Sequence, residues 1–208
     1  MNTYRLICTQ TDEVARQFSR ISKRDSPRFY YSTRNEYNKA RFSATQAARF
    51  LYLNRTCFNG IFRVNKQGEF NVPYGHKAKP WFPSRVQLHA FAEVLRPAGL
   101  FNEDYREALR RAKPGDFVYL DPPYPPLNGT SNFAHYTMDR FGVPNQYDLA
   151  TEVRALDKRG CLVMVTNADI KLIRQLYKGF DMHTLEVTRF VTCKANKHQV
   201  RELVIRNY

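Results

Sequence analysis

Apolar positions in the first half of the chain recur at helical spacing, then give way to short aromatic and β-branched pieces. Residues 4–18 place Leu6, Ile7, Val14 and Phe18 loosely at helical intervals, and Ser26-Pro27 breaks that pattern. Residues 44–55, ATQAARFLYLNR, predict the clearest helix, with Ala47, Phe50, Leu51 and Asn54 on one side. Between residues 56 and 83 three glycines and three prolines punctuate the chain. There Ile61-Phe62-Arg63-Val64 and Glu69-Phe70-Asn71-Val72 flank Asn65-Lys66-Gln67-Gly68, which predicts a β-hairpin with Arg63 and Lys66 on its exposed face.

The second half has an α/β rhythm. Asp116-Phe117-Val118-Tyr119-Leu120 predicts a buried strand ending at Asp121, followed by a polar loop to about residue 143. Pro144 suits the start of a helix over 145–158, with Leu149, Val153 and Leu156 inward and Gly160 ending it. Cys161–Thr166 is a near-continuous apolar strand, as buried parallel strands are. A helix over 169–178 ends at Gly179. Two last strands, about 180–190 and 200–206, are joined by a basic loop holding Thr192, Cys193, Lys194, Lys197 and His198. Parallel strands joined by helices and closed by a hairpin suggest a doubly wound sheet.

Composition narrows the partners. The 208 residues suffice for one large domain or two small ones, and the 43% hydrophobic content suits a folded core. Lys and Arg outnumber Asp and Glu 33 to 19, a net charge of +14 that runs along the chain and points to a polyanion, most simply nucleic acid. The four cysteines and five histidines are too scattered for a zinc site, so no metal is expected. Few, unpaired cysteines fit a reducing cytoplasm. No apolar run reaches transmembrane length, and the N-terminus lacks the pattern of a signal peptide, so no membrane partner is expected.

The candidate chemistry lies in YLDPPYPP, residues 119–126. Prolines end strands because they lack the N–H that the ladder needs. In open α/β sheets ligands bind beyond the carboxyl ends of strands, where this stretch places Asp121. The Asp121 carboxylate and the Pro122 carbonyl then form two neighbouring acceptors suited to the two N–H groups of an exocyclic amine. Tyr124 offers a face on which a base can stack. An aryl amine is a poor nucleophile because its lone pair is delocalised into the ring. Two fixed acceptors favour a more tetrahedral nitrogen aimed at an electrophile, so catalysis reduces mostly to positioning and electrostatics.

The chain resembles the DNA adenine-N6 methyltransferases of the Dam type over nearly all of its length. The resemblance rests on Leu51-Tyr52-Leu53-Asn54-Arg55, Asn59-Gly60, Arg63, Gly68 through Gly75, and Lys79-Pro80-Trp81-Phe82-Pro83. It continues through Asp121-Pro122-Pro123-Tyr124, Ser131-Asn132-Phe133 with Tyr136, and Arg201-Glu202-Leu203 to Asn207-Tyr208. Asp-Pro-Pro-Tyr alone is moderately specific, since related tetrapeptides serve RNA, protein and cytosine amino-methyltransferases. The hairpin and its order before Asp-Pro-Pro-Tyr are more specific.

The resemblance implies a Rossmann-like methyltransferase sheet, incomplete at its N-terminus, with an inserted helical and β-hairpin target-recognition region. Residues 1–28 would be a remnant of the methyltransferase domain, 29–98 the target-recognition region and 99–208 the catalytic region. Asp121, Pro122, Pro123 and Tyr124 would be catalytic, and Asp121 would also face S-adenosylmethionine. Asn59 and Arg63 would read double-stranded DNA, Phe58 would wedge beside the target pair, and Asn132, Phe133 and Tyr136 would meet the flipped base and nearby phosphates. Lys194, Lys197 and Arg201, with His198, would add phosphate contacts. Asn167 and Asp169 lie near the same pocket or cap a helix. GATC is the favoured target, and restriction-modification is one setting such an enzyme serves.

The family's Phe-x-Gly-x-Gly turn and ribose-binding acid have no counterpart among the nine glycines and their surroundings. The expectation is an N-terminally shortened methyltransferase lacking at least a βαβ-sized unit, of roughly 30 residues. The alternatives are one half of a split enzyme, its missing segment supplied by a separate polypeptide, and a nonenzymatic DNA-binding remnant.

Overall fold

The structure, a computed structural model, describes residues 1–125, 141–190 and 197–208, with side chains placed for all of these except 189, 190, 197 and 198. The chain divides into two compact units, Met1–Asn102 and Glu103–Tyr208.

The first unit holds helices α1 (Asn2–Thr9), α2 (Thr11–Ser22), α3 (Pro27–Lys39), α4 (Ala44–Thr56) and α5 (Arg85–Leu95). The single helix expected over 4–18 is two, parted at Gln10, whose φ of −137° leaves the helical range. Ser26-Pro27 breaks the pattern by starting another helix. The Ser26 hydroxyl accepts from the Phe29 N–H at 3.2 Å, and Pro27 takes the first turn, where its missing donor costs nothing. Ser43 caps α4 in the same way, and Ser84 and Gln87 form a reciprocal capping box on α5. Residues 1–28 pack in this unit: Leu6, Ile7 and Val14 share a core with Ala44, Ala47 and Ala92.

α4 is buried more widely than its expected stripe. Ala44, Ala47, Ala48, Tyr52, Leu53 and Thr56 are buried, while Phe50, Leu51 and Asn54 are half-buried. Neighbours on more than one side explain the difference, with Phe18 of α2 and Tyr30 of α3 both in the cluster around Tyr52. Asp25 ties this cluster together, accepting from the Tyr52 hydroxyl at 2.8 Å and the Tyr74 hydroxyl at 3.0 Å.

The expected hairpin is present in outline, with a Val64–Phe70 bridge and a turn in which Gly68 adopts φ +79°. The two arms are joined by the Asn65 N–H to the Glu69 carbonyl at 2.9 Å and the Asn71 N–H to the Arg63 carbonyl at 3.1 Å, and α3 takes the backbone groups on the other edge of the second arm. Asn38 donates to the Phe70 carbonyl at 3.1 Å and accepts from its N–H at 2.9 Å. Tyr30 and Arg34 donate to the Val72 carbonyl. Phe70 and Val72 are thereby drawn into the core.

The second unit contains α6 (Tyr105–Arg110), β1 (Phe117–Leu120), α7 (Val143–Lys158), β2 (Leu162–Ala168), α8 (Lys171–Leu176), β3 (Asp181–Phe190) and β4 (Lys197–Arg206). The architecture is mixed α/β. The sheet order is β1-β2-β4-β3, with β1 and β2 parallel and the other pairs antiparallel. Lys197 and His198, expected in the basic loop, begin β4 because they pair with Phe190 and Arg189. α7 buries Leu149, Val153 and Leu156 as expected, and Gly160 follows it at φ +83°.

Leu109 of α6, Val153 and Leu156 of α7 and Ile173 of α8 pack with Val163, Val165, Leu203 and Ile205. The strand alternation sends Phe117, Tyr119 and Leu162 to the opposite face, where they are 56%, 54% and 43% exposed. Among the described residues the outer edge of β1 has no strand partner. No helix among them is long and apolar enough to cross a membrane.

Candidate active site and nucleic-acid surface

The end of β1 is built from residues on the face opposite the helices. Tyr119 and Asp121, two apart in an extended chain, share a side. Thr166 of the adjacent strand β2 donates to Asp121 Oδ1 at 2.9 Å. The Thr166 oxygen also lies 3.1 Å from the Tyr119 hydroxyl. Since Thr166 has one proton and gives it to the carboxylate, the Tyr119 hydroxyl is the donor of that second bond. Asp121 Oδ1 is thus fixed from within the sheet, and Oδ2 receives no described donor.

Past Asp121 the chain has few ways of being held. Of residues 122–126 only Tyr124 has a backbone N–H, since the others are proline. The Tyr124 hydroxyl meets Glu202 of β4 at 3.3 Å. Burial pushes the Tyr124 phenol up to about 12. It is therefore neutral at physiological pH. The Pro123 carbonyl accepts from Nε2 of Gln146, a fully buried side chain of α7.

Asn167 and Asp169 are not helix caps. Asn167 is fully buried and donates to Gln146 Oε1 at 3.0 Å. Asp169 holds Arg174 through two bonds of 2.6 and 2.8 Å, and that guanidinium keeps its carboxyl below the usual range. Arg201 is exposed on β4. Asn132, Phe133, Tyr136 and Lys194 lie outside the described residues, as does the side chain of Lys197.

In the first unit, Phe58, Asn59 and Gly60 form a tight 3-10 turn directly after α4. Asn59 sits at φ +54°, a conformation that Asn tolerates better than most residues. Asn54 donates to the Gly60 carbonyl at 2.9 Å, and the Phe58 N–H donates to the Pro73 carbonyl at 2.9 Å. The Gly75 N–H reaches the Thr56 carbonyl at 2.8 Å, so closely that a Cβ on Gly75 would lie 2.5 Å from the Cys57 oxygen. The turn is held out from the core, with Phe58 40% exposed. Arg63 is exposed nearby in sequence, its Nε donating to Asn71 Oδ1 at 2.8 Å.

The positive charge is less evenly spread than the sequence suggested. Residues 1–102 hold 17 of the 33 Lys and Arg but only 6 of the 19 Asp and Glu, an excess of 11 of the net 14. This concentration favours the first unit as the surface for a polyanion.

Known proteins match this sequence. The D12 class N6 adenine-specific DNA methyltransferases match residues 1–191. The chain belongs to this family. Among its curated relatives, the type II methyltransferase M.MjaIII of Methanocaldococcus jannaschii is 36% identical over 198 residues, covering 92% of this chain and 68% of that protein. The DNA adenine methylase of Escherichia coli K12 is 35% identical over 208 residues, covering 98% and 74%. The type II methyltransferase M1.LlaDCHI of Lactococcus lactis is 32% identical over 215 aligned positions, covering 100% and 76%.

For a D12 class methyltransferase the sequence reading missed four side chains around Asp121 to Tyr124. Tyr119 and Thr166 were visible only as strand residues, and Glu202 only as part of a matching segment. Gln146 had a usable signal. It falls on the same helical stripe as Leu149, Ala150 and Val153, a polar residue at a core position.

S-adenosylmethionine fits these residues only in part. Asp121 lies just past the carboxyl end of the parallel strand β1, where ligands of α/β sheets bind. The Gly-rich turn and the acid that would hold its amino-acid and ribose parts have no counterpart in the 208 residues.

Proposed function

We propose that this chain transfers a methyl group from S-adenosylmethionine to N6 of adenine in duplex DNA, with Asp121, Pro122, Pro123 and Tyr124 as the reacting loop. The observation that carries the proposal is the Asp121 carboxylate, fixed by Thr166 at the carboxyl end of β1 and followed by a loop rich in acceptors and poor in donors. The cofactor, when bound, supplies an electrophilic methyl carbon. The chain's own part is to accept the two N–H groups of the adenine amine at the Asp121 carboxylate and the Pro122 carbonyl. Tyr124 stacks on the base. The nitrogen lone pair is then released from the ring and directed outward; the new N6–C bond would form as the carbon–sulfur bond of the sulfonium breaks, its electron pair staying on sulfur, and the surplus N6 proton would pass to water.

An adenine inside a duplex cannot reach such a loop, so the base is extruded from the stack. Asn59 and Arg63 read the duplex, with Arg63 suited to guanine O6 and N7 and GATC the favoured site, and Phe58 wedges beside the target pair. Lys194, Lys197 and Arg201, with Asn132, Phe133 and Tyr136, contact phosphates and the extruded nucleotide. Residues 29–98 are the target-recognition region of this proposal, inserted in a Rossmann-like sheet whose catalytic part is 99–208.

The remaining cofactor contacts come from polypeptide beyond these 208 residues, docked along β1. Two features support this: the outer edge of β1, which has no strand partner among the described residues, and the exposed Phe117, Tyr119 and Leu162. In the assembled enzyme the β1 amides exchange hydrogen slowly; fast exchange there in a fully active preparation would exclude the docking.

Competition decides the substrate. Duplex DNA bearing adenine should be methylated at N6, while RNA and sites containing only cytosine should neither accept methyl nor compete well. Methylcytosine, or equal competition by RNA, would point instead to another amino-methyltransferase. Sequence-preferring DNA binding with no methyl transfer by the assembled enzyme would favour the nonenzymatic reading.

A further inference from the structure

The prolines that stiffen the loop also deprive it of handles. With four prolines among residues 122–126, the main chain there can be gripped almost only through carbonyl oxygens, and each grip needs a donor from elsewhere. Among the described residues one donor does this to the proline pair, Gln146 Nε2, 2.9 Å from the Pro123 carbonyl. No described hydrogen bond reaches the Pro122 carbonyl.

The direction of the Gln146 amide is itself set. The Ala168 N–H donates to Asn167 Oδ1 at 2.8 Å, which turns the Asn167 NH2 group away from that backbone donor. Asn167 Nδ2 then donates to Gln146 Oε1 at 3.0 Å. With its oxygen engaged, Gln146 can present only its NH2 group to Pro123. Both side chains are fully buried, so water does not compete and a reversed amide would meet a like group. The chain of donors runs one way, from β2 through α7 to the loop.

We propose that Gln146 and Asn167 are positioning residues that occupy the Pro123 carbonyl and so leave the Pro122 carbonyl as the loop's acceptor for the substrate amine. The Pro122 and Pro123 carbonyls are separated by two torsions, φ of Pro123, which its ring fixes, and ψ of Pro123, which the bond from Gln146 to the Pro123 carbonyl holds. Holding one therefore sets the other. The proposal rests on the methyltransferase reading for its substrate, but its geometry stands by itself.

Two near-isosteric changes test it. Asn167→Asp puts an acceptor where Gln146 now receives a donor. The Gln146 amide must then reverse and turn its oxygen to Pro123. Gln146→Leu removes the link outright. In the assembled enzyme each should lower kcat for adenine methylation about 10- to 100-fold, the loss expected for one preorganised group, with KM for DNA within about twofold. Gln146→Leu checks that the kcat effect of Asn167→Asp is not due to a buried charge. In the wild-type chain, NMR should show a through-bond coupling between Gln146 Nε2 and the Pro123 carbonyl carbon, and Asn167→Asp should abolish it. Absence of that coupling in the wild type, or a kcat within twofold after Asn167→Asp, overturns the relay. A wild-type enzyme that methylates no adenine would strike the proposed function instead, since the coupling is read without catalysis.

Discussion

Thr166 donates to Asp121 across the β1–β2 pair at 2.9 Å, and this one bond decides how the carboxylate faces outward. In the proposed reaction Oδ2 is the oxygen left for the substrate amine. Thr166→Val keeps the shape and loses the donor. It should lower the single-turnover methylation rate of the assembled enzyme about tenfold, the scale of a hydrogen bond to a charged group. DNA affinity should be unchanged, and Thr166→Ser should restore most of the rate. Equal activity of the Val variant would show that Asp121 needs no such support.

Arg63 and Asn71 face one another across the hairpin, with Arg63 Nε 2.8 Å from Asn71 Oδ1. Such a contact orients the guanidinium before DNA arrives. Arg63→Ala should reduce discrimination between the cognate site and a single-base variant by about 1–3 kcal/mol, the value of one bidentate base contact. Asn71→Ala should cause a smaller loss of the same kind. If Arg63→Ala instead weakened all sequences equally and lowered the salt dependence of binding, Arg63 would be a phosphate ligand.

Gly75 lets the chain pass against the end of α4, where an added Cβ would meet the Cys57 oxygen at 2.5 Å. The atom it would strike is backbone, so relief requires moving the Phe58–Gly60 turn itself. Gly75→Ala should cost roughly 3 kcal/mol in stability, within the range of severe overpacking. Thermal melting of the variant would detect it, and at permissive temperature its DNA affinity should also fall. A normal melting temperature would show that the turn adapts.

The buried tyrosines set an alkaline limit. Burial holds the Tyr30, Tyr52 and Tyr177 phenols above their ordinary value of about 10, and Tyr124 at about 12. These groups are neutral in both states below pH 10. Between 10 and their folded values the unfolded chain has released protons that the folded chain retains, so stability falls as pH rises through that window. Tyrosinate absorbance should show a late, cooperative step coincident with unfolding. Among the described residues the Tyr177 hydroxyl is buried without a hydrogen-bond partner, so Tyr177→Phe should raise stability by about 1 kcal/mol and soften the alkaline loss. A less stable Phe variant would mean that the hydroxyl is bonded after all.

Periodic segments were legible in the sequence. The helices around residues 44–55 and 145–158 and the strands at 116–120 and 161–166 are kept with small shifts of boundary, but β1, expected to be buried, has no buried residue, since Phe117 and Tyr119 stand on the exposed face of the sheet. α3 was not legible, because PRFYYSTRNEYNK buries only Tyr30 and Thr33 and so shows no clean stripe. Its role explains the composition: Tyr30, Arg34 and Asn38 are spent on the backbone of the hairpin. The Asp-Pro-Pro-Tyr loop stood out in the sequence as a candidate site by its chemistry. Its supports were not, since Thr166 and Gln146 come from distant elements and reach it only through the sheet register and the turn of α7. The charge was read as a property of the whole chain because its concentration shows only once the boundary near residue 102 is known.

The central claim is that Asp121 serves methyl transfer to adenine and not DNA binding. The most direct measurement is to replace the Asp121 codon by Ala in the organism that encodes the chain and to read N6-methyladenine across its genome by single-molecule sequencing, alongside DNA occupancy by the protein. The account predicts that one adenine-methylated motif disappears while occupancy changes less than about twofold, as expected when a group acting only in the transition state is lost. An unchanged adenine pattern, or a loss of occupancy as large as the loss of methylation, would contradict it.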